Sequence, residues 1–326
     1  MPPETTQRQD TSRCPQCGEP VKAGWRLCPV CETRLRPLAC PQCGALVKDN
    51  WKRCPECETR LQCPGCGRRL NGSRQQCPHC STPAGARTPD GTSFQEEICG
   101  IAFVPVSSGT YPMGDIFGEG LENETPVHDV HLDAFFISRT PVTQRQWCCL
   151  MTDNPSRFRG EERPVEQVSF FDVMLFINRI ERAHGEKFEF RLPTEAQWEY
   201  AARSGGGKEL YAGGNDIERL GWYEVNSGGG TRPVAEKAPN GIGLFDMSGN
   251  VWEWCRDTYH EDAYRRHDTD NPVLEDPKKR ERVIRGGSWN LDAWSLRCAR
   301  RFSFPEDYLG AGLGFRLVLE SGPESL

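Results

Sequence analysis

The sequence predicts an α+β domain preceded by small metal-stapled modules. Three observations carry this. A few amphipathic helices are scattered among short strands and long loops rich in the 33 glycines and 25 prolines. Twelve of the 17 cysteines crowd between Cys14 and Cys80. Between these regions, 81–97 (STPAGARTPDGTSFQEE) lacks any apolar period and reads as a linker. The boundaries that follow are 1–13 as a disordered N-terminus, 14–80 as the cysteine modules, 81–97 as linker and 98–326 as one large domain.

The cysteines form six C-x-x-C pairs: Cys14 with Cys17, Cys28 with Cys31, Cys40 with Cys43, Cys54 with Cys57, Cys63 with Cys66, and Cys77 with Cys80. Ten residues separate the two pairs within each module. Segment 14–35 repeats at 40–61 with 15 of 22 positions identical, and a looser third copy starts at Cys63. Two residues between cysteines let a turn aim both sulfurs at one ion, and two such turns supply the four thiolates that tetrahedral zinc takes. A module this short cannot hold itself with an apolar core, so the metal stabilises it. The expectation is three zinc ions, one per consecutive double pair, in modules resembling double zinc ribbons; interleaved pairing stays open. His79 is then a bystander.

Residues 1–81 carry 13 Lys+Arg and 7 Asp+Glu, a net of +6. Three tetrathiolate zinc sites at −2 each cancel it, which weakens a nucleic-acid reading. A protein-binding or scaffolding role for the ribbons is preferred. Trp25 and Trp51, at equivalent repeat positions, cover the small zinc cores. No run of 18 apolar residues exists, so no membrane span is expected. The polar start MPPETTQRQD carries no signal-peptide pattern. With cysteines at metal spacing, this points to a reducing, cytoplasmic setting.

In the large domain, IAFVPVSSGTYPMGD reads as a strand pair and VHDVHLDAFFISRTPVT as further strands. A helix starts after Thr143. A second runs through VSFFDVMLFINRIERAHG, capped by Ser169 and stopped at Gly185. A third follows Thr194, with Gln197 completing a capping box. Of Cys148 and Cys149 in the first helix, one is expected in the core and the other partly buried. His128 and His131 read as ordinary strand residues.

The blocks FVPVSSGTYPMGD, ETPVHDVHLDAFFISRTPVT, RLPTEAQWEYAAR, GLFDMSGNVWEW, RVIRGGSW and GFRL follow in this order. Together they resemble the formylglycine-generating enzyme family, also called sulfatase-modifying factors, over roughly 100–319. The resemblance implies a variant of the C-type lectin fold. It also implies an oxidase that converts a sulfatase cysteine to formylglycine with copper on two cysteine thiolates. Here the first of those positions is Leu291. The second falls near Trp294 and Ser295, and Cys298 matches a separate position. Two thiolates select Cu(I); without them the resemblance implies a member that takes no copper and is not catalytic. The family's calcium loop matches DMSGNVWE, which would place Asp246 and Glu253 as carboxylate ligands and Gly249 and Val251 as carbonyl ligands.

Segment 289–310, WNLDAWSLRCARRFSFPEDYLG, mixes aromatics with a few polar groups, as protein-binding patches do. It also resembles the diversified segment of variable proteins from bacterial diversity-generating retroelements. The candidate ligand surface is Asn290, Leu291, Asp292, Trp294, Leu296, Phe302, Phe304, Tyr308 and Leu309. Trp289 is assigned to the core, and Arg297, Arg300 and Arg316 to bracing. Three readings follow: a non-catalytic protein-binding protein, a copper-dependent oxidase, and a zinc-ribbon regulator of nucleic acid. The first is preferred.

Overall fold

The computed structural model describes residues 93–185 and 188–319, together with four short strands nearer the N-terminus. Contacts divide the chain into two units, Met1–Cys63 with Gly67–Cys77, and Pro78–Leu326 with Pro64–Cys66.

In the first unit, β1 (Thr11–Arg13) pairs antiparallel with β2 (Pro20–Lys22), and β3 (Leu38–Ala39) with β4 (Leu46–Val47). Each hairpin brackets the leading C-x-x-C of one repeat. The two strand pairs thus recur at the spacing of the sequence repeat. The expected zinc ligands themselves lie outside the described residues. They are Cys14, Cys17, Cys28 and Cys31 for the first ion, Cys40, Cys43, Cys54 and Cys57 for the second, and Cys63, Cys66, Cys77 and Cys80 for the third.

The second unit is built on two sheets, a ribbon and four helices. Its first strands are β5 (Phe94–Gln95), β6 (Ala102–Val106), β7 (Gly109–Met113), β8 (His128–Leu132) and β9 (Phe135–Ser138). Further along are β10 (Phe190–Arg191), β11 (Trp252–Thr258), β12 (Glu281–Arg285), β13 (Arg301–Pro305), β14 (Leu313–Gly314) and β15 (Val318–Leu319). A five-stranded sheet has the order β10-β15-β9-β6-β5, and a four-stranded sheet the order β13-β12-β11-β14. Only β11 with β14 runs parallel among these pairs. β7 and β8 form a separate antiparallel ribbon. The strand pair expected over 101–115 is thus corrected. β6 and β7 are both strands, but β6 joins β5 and β9 while β7 joins β8.

Helix starts follow capping chemistry. α1 (Gln144–Cys148), α2 (Phe170–Ala183) and α3 (Glu195–Ala202) each begin in a capping box, formed by Thr143 with Gln146, Ser169 with Asp172, and Thr194 with Gln197. α2 ends before Gly185, whose φ of 63° is left-handed and costs a glycine little. α4 (Ile217–Leu220) is a single turn.

The sheets are covered on both faces, because successive strand residues point opposite ways. Phe103, Ile284 and Leu319 enter one core with Val173, Phe176, Ile177 and Ile180 of α2. Their neighbours Val104, Val283 and Val318 enter a second core with Ala196 and Trp198 of α3. No helix among the described residues is long and apolar enough to cross a membrane.

Candidate ligand-binding face

Five fully or almost fully buried arginines, Arg203, Arg285, Arg297, Arg301 and Arg316, frame the C-terminal segment. Burying such charges is tolerable only with partners in place. Every residue of α3 is buried, and the helix supplies two of them. Glu195 accepts from Arg301 Nη2 at 2.6 Å and from Arg285 Nη1 at 2.9 Å. Glu199 takes Arg285 Nη2 at 2.5 Å and Arg203 Nε at 2.9 Å. Burial raises the Glu195 carboxyl, but Arg301 and Arg285 outweigh it and hold it at about 2. Glu124 takes Arg297 through two bonds of 2.8 and 2.9 Å. Arg297 and Arg316 brace the interior as their sequence positions led us to expect, as does Arg300, which donates to the Arg301 carbonyl at 2.9 Å and lies 3.8 Å from Glu124; this network fixes both ends of segment 286–301.

After β12, Gly286 and Gly287 turn the chain with φ of 98° and 76°. A Cβ on Gly287 would meet Leu296 at 2.7 Å, so this turn requires glycine. Trp289 follows, half-buried rather than sealed in the core, with Nε1 donating to the Ala311 carbonyl and its ring edge-on to Phe158. Asn290 is exposed and accepts from Ser288 Oγ at 2.6 Å. Leu291 is half-buried against two apolar clusters. Asp292 caps a 3₁₀ turn over Ala293–Leu296 by accepting from Ser295 N at 3.0 Å.

That turn rolls Leu296 inward. It is 0% exposed and packs with Tyr211, Leu220 and Tyr223, so its assignment to the ligand surface is corrected. Trp294, on the outer side of the same turn, is 37% exposed. Its indole donates to the Glu119 carbonyl, and the Arg297 and Arg300 guanidiniums lie 4.3 and 5.2 Å from its centroid. Arg300 also lies 5.7 Å from the Phe302 ring, so it joins the turn to β13.

On β13, Phe302 is 43% exposed and Phe304 half-buried, their rings edge-on at 5.5 Å. Phe304 stacks on Tyr308 at 3.9 Å. The turn between them is anchored by buried Glu306, which takes Arg280 and Arg282. Tyr308 and Leu309 at its tip are 39% and 56% exposed. One outward row therefore runs Trp294, Phe302, Phe304, Tyr308, Leu309, with the Arg300 side chain, only 13% exposed and 3.8 Å from Glu124, packed against the Trp294 and Phe302 rings. Sequence reasoning missed an adjoining strip on α2. Phe171, Met174 and Leu175 are exposed at helical spacing, beside the Phe170 N–H that bonds the Glu306 carbonyl. Its signal was available, since α2 carries more apolar residues than one buried face needs.

Two concavities, of about 460 Å³ beside Asn123 and Arg265 and about 280 Å³ beside Arg256 and Asn271, include none of the row's residues. Nor does the row hold reactive thiols. Cys298 is 0% exposed and pushed up to about 12, chiefly by burial; Cys255 is likewise 0% exposed and pushed well up by burial. Cys148 and Cys149 are both exposed, which corrects the expectation that one would enter the core.

The four residues of the calcium loop do not fit a cation. Both Glu253 oxygens are taken by Arg316, and one also by Trp198 Nε1 at 2.7 Å. Asp246 accepts from Ala235 N at 2.8 Å and Asn250 Nδ2 at 3.3 Å, and burial pushes its carboxyl up to about 6. The Gly249 carbonyl accepts the Val251 N–H. Among the described residues no group of three or more His, Cys, Asp or Glu side chains could hold a metal. His128 is a strand residue, with Nε2 3.1 Å from Nδ1 of His267; His131 lies 3.1 Å from Thr110 Oγ1.

Taken together, the architecture of the large domain is mixed helix and sheet, with an arginine–carboxylate interior and an aromatic face built from its last hundred residues' strands and turns; the cysteine-repeat module precedes it in the sequence. The chain belongs to the family described as sulfatase-modifying factor enzyme 1-like domain, whose model matches residues 93–321, and a double zinc ribbon matches 14–58. That second match covers Cys14, Cys17, Cys28, Cys31, Cys40, Cys43, Cys54 and Cys57, eight of the twelve cysteines expected to hold zinc. The chain is 30% identical over 305 residues to the formylglycine-generating enzyme of Streptomyces coelicolor, covering 72% of this chain and 94% of that protein. It is 31% identical over 243 residues to chaperone protein LppX of Paenibacillus barcinonensis, covering 58% of this chain and 81% of that one. Among solved structures, Treponema denticola variable protein 1 superposes with a TM-score of 0.63 at 26% identity, over 71% of this chain and all of that one. The lectin-like fold expected from the sequence is the fold found.

Proposed function

We propose that the chain is a non-catalytic binding protein whose lectin-like domain presents the C-terminal aromatic row to a protein ligand. The observation that carries this is the row itself: exposed Trp294, Phe302, Tyr308 and Leu309 held on a rigid arginine–carboxylate base. Aromatics on a preorganised surface are the usual anchors of protein interfaces. Leu291, at the position of the family's first copper ligand, is apolar and packed, and neither Cys298 nor Cys255 is accessible. We assign the ribbons, with three zinc ions, the role of tethering a second protein, in a reducing cytoplasmic setting where their thiols stay available to metal. The finer proposal is that a retroelement diversifies the row. The likeness to a variable protein supports it.

Two measurements test this. Metal analysis of the full chain, with an assay for formylglycine on a cysteine peptide of sulfatase type, is expected to give no stoichiometric copper and no aldehyde. One copper per chain with aldehyde product would overturn the reading. For diversification, the genome is searched for a neighbouring reverse transcriptase and a near-copy template of 289–310; their absence removes the finer proposal.

A further inference from the structure

Two of the cysteines outside the ribbons are neighbours in space. Cys99 sits in the turn between β5 and β6 and is 8% exposed. That turn is rigid, because the Glu96 carboxylate accepts the N–H groups of Ile98, Cys99 and Ile101 at 2.9, 3.0 and 2.7 Å. His184 Nε2 lies 3.0 Å from the same carboxylate. Cys149 caps the C-terminus of α1 and is exposed. Gln146, three residues earlier and so on the same face, reaches the Gly100 carbonyl with Nε2 at 3.4 Å. This face brings the two thiols together. Cys149 donates its S–H to the Arg145 carbonyl at 3.4 Å, and its side chain lies close enough to Cys99 to act on that thiol electrostatically. Cys148, also exposed, is rotated away by about 100° along the helix.

We propose that Cys99 and Cys149 form a redox-controlled disulfide, with Cys149 as the attacking thiol and a hydroperoxide as the oxidant. Cys149, as thiolate, attacks one peroxide oxygen. The O–O bond breaks, an alcohol (or water, from hydrogen peroxide) leaves, and Cys149 is oxidised to the sulfenic acid. The Cys99 sulfur then displaces the sulfenic hydroxyl, which leaves with the Cys99 proton as water as the S–S bond forms. Two thiols and one hydroperoxide thus give one disulfide, one alcohol and one water.

The two sites suit these roles. Cys149 is reached by solvent, whereas burial and the nearby Glu96 charge push the Cys99 thiol well up and keep it protonated. Cys99 is thereby protected from direct oxidation. The bond would close a loop of about 50 residues and pin α1 to the β5–β6 turn. This inference is independent of what the aromatic row binds.

The test uses the zinc-loaded full chain, treated with hydrogen peroxide and quenched with N-ethylmaleimide in denaturant. Non-reducing digestion and mass spectrometry then report each cysteine separately, so oxidation of the ribbon cysteines does not interfere. A cross-link between the Cys99 and Cys149 peptides is expected, lost in Cys149→Ser and kept in Cys148→Ser. The unfolding midpoint of the large domain should rise by about 5–10 °C on oxidation. The proposal is overturned if Cys99 is recovered as a free, alkylated thiol at doses that oxidise Cys149. It is equally overturned if Cys149 is recovered unoxidised, or if the link runs through Cys148.

Discussion

Glu253 and Arg316 face each other in the dry centre of the domain, joined by hydrogen bonds of 2.6 and 2.8 Å, both residues 0% exposed. Each removes the other's unpaired charge, and Trp198 fills the remaining acceptor position. Truncating either partner strands a charge at a cost of about 3–5 kcal/mol. Arg316→Met is therefore expected to lower the thermal midpoint by about 10 °C, read by calorimetry of the full chain. Because Arg316 occupies the carboxylate, added calcium should leave the wild-type midpoint unchanged. A rise saturating with calcium would refute this geometry.

The interior also sets the pH dependence. Glu195 is held at about 2 in the fold, below its ordinary 4.5, so its stabilisation is complete above 4.5 and is lost as pH falls toward 2. Asp257 works oppositely. Burial first, then Glu195, raises it from 3.8 to about 7, so the fold binds its proton more tightly and loses stability as pH rises from 3.8 to 7. Asp257→Asn keeps the size while removing the charge. It should raise the midpoint at pH 8 relative to wild type and change little at pH 4. Urea unfolding at the two pH values decides it.

The binding face and the core beneath it separate by mutation. Phe302→Ala and Tyr308→Ala remove half-exposed rings, so each should cost about 1 kcal/mol of stability or less while weakening ligand capture at least tenfold. Leu296→Ala, in the same segment but fully buried, should cost about 2–5 kcal/mol. Equal destabilisation by all three would show that the row is packing rather than surface.

Zinc should belong to the N-terminal module alone. Chelation is expected to release about three zinc ions per chain and unfold the ribbons. The melting transition of the large domain should remain, since its described residues provide no metal cluster. Loss of that transition on chelation would contradict the assignment.

Much of the fold was legible in the sequence. The caps Thr143, Ser169 and Thr194 were readable because capping is a contact within three or four residues. The repeat was readable because Cys spacing is itself the geometry of a metal knuckle. β6 and β7 were legible as strands but not as members of different sheets, since pairing is settled by partners such as β9, some thirty residues on. Leu296 was misplaced because only the inward roll of the Asp292-capped turn decides which way residue 296 points. Glu253 was mistaken for a cation ligand because Arg316, sixty-three residues away, is its actual partner.

The sequence by itself determined the tandem C-x-x-C module, the helix starts and the family blocks of the large domain. All of these are local in the chain. Only the tertiary structure decided which of the segment's side chains form one outward row, that Arg300 bridges Trp294 to Phe302, and that Cys99 meets Cys149. Those relationships join residues brought together by packing, and local spacing carries no record of them.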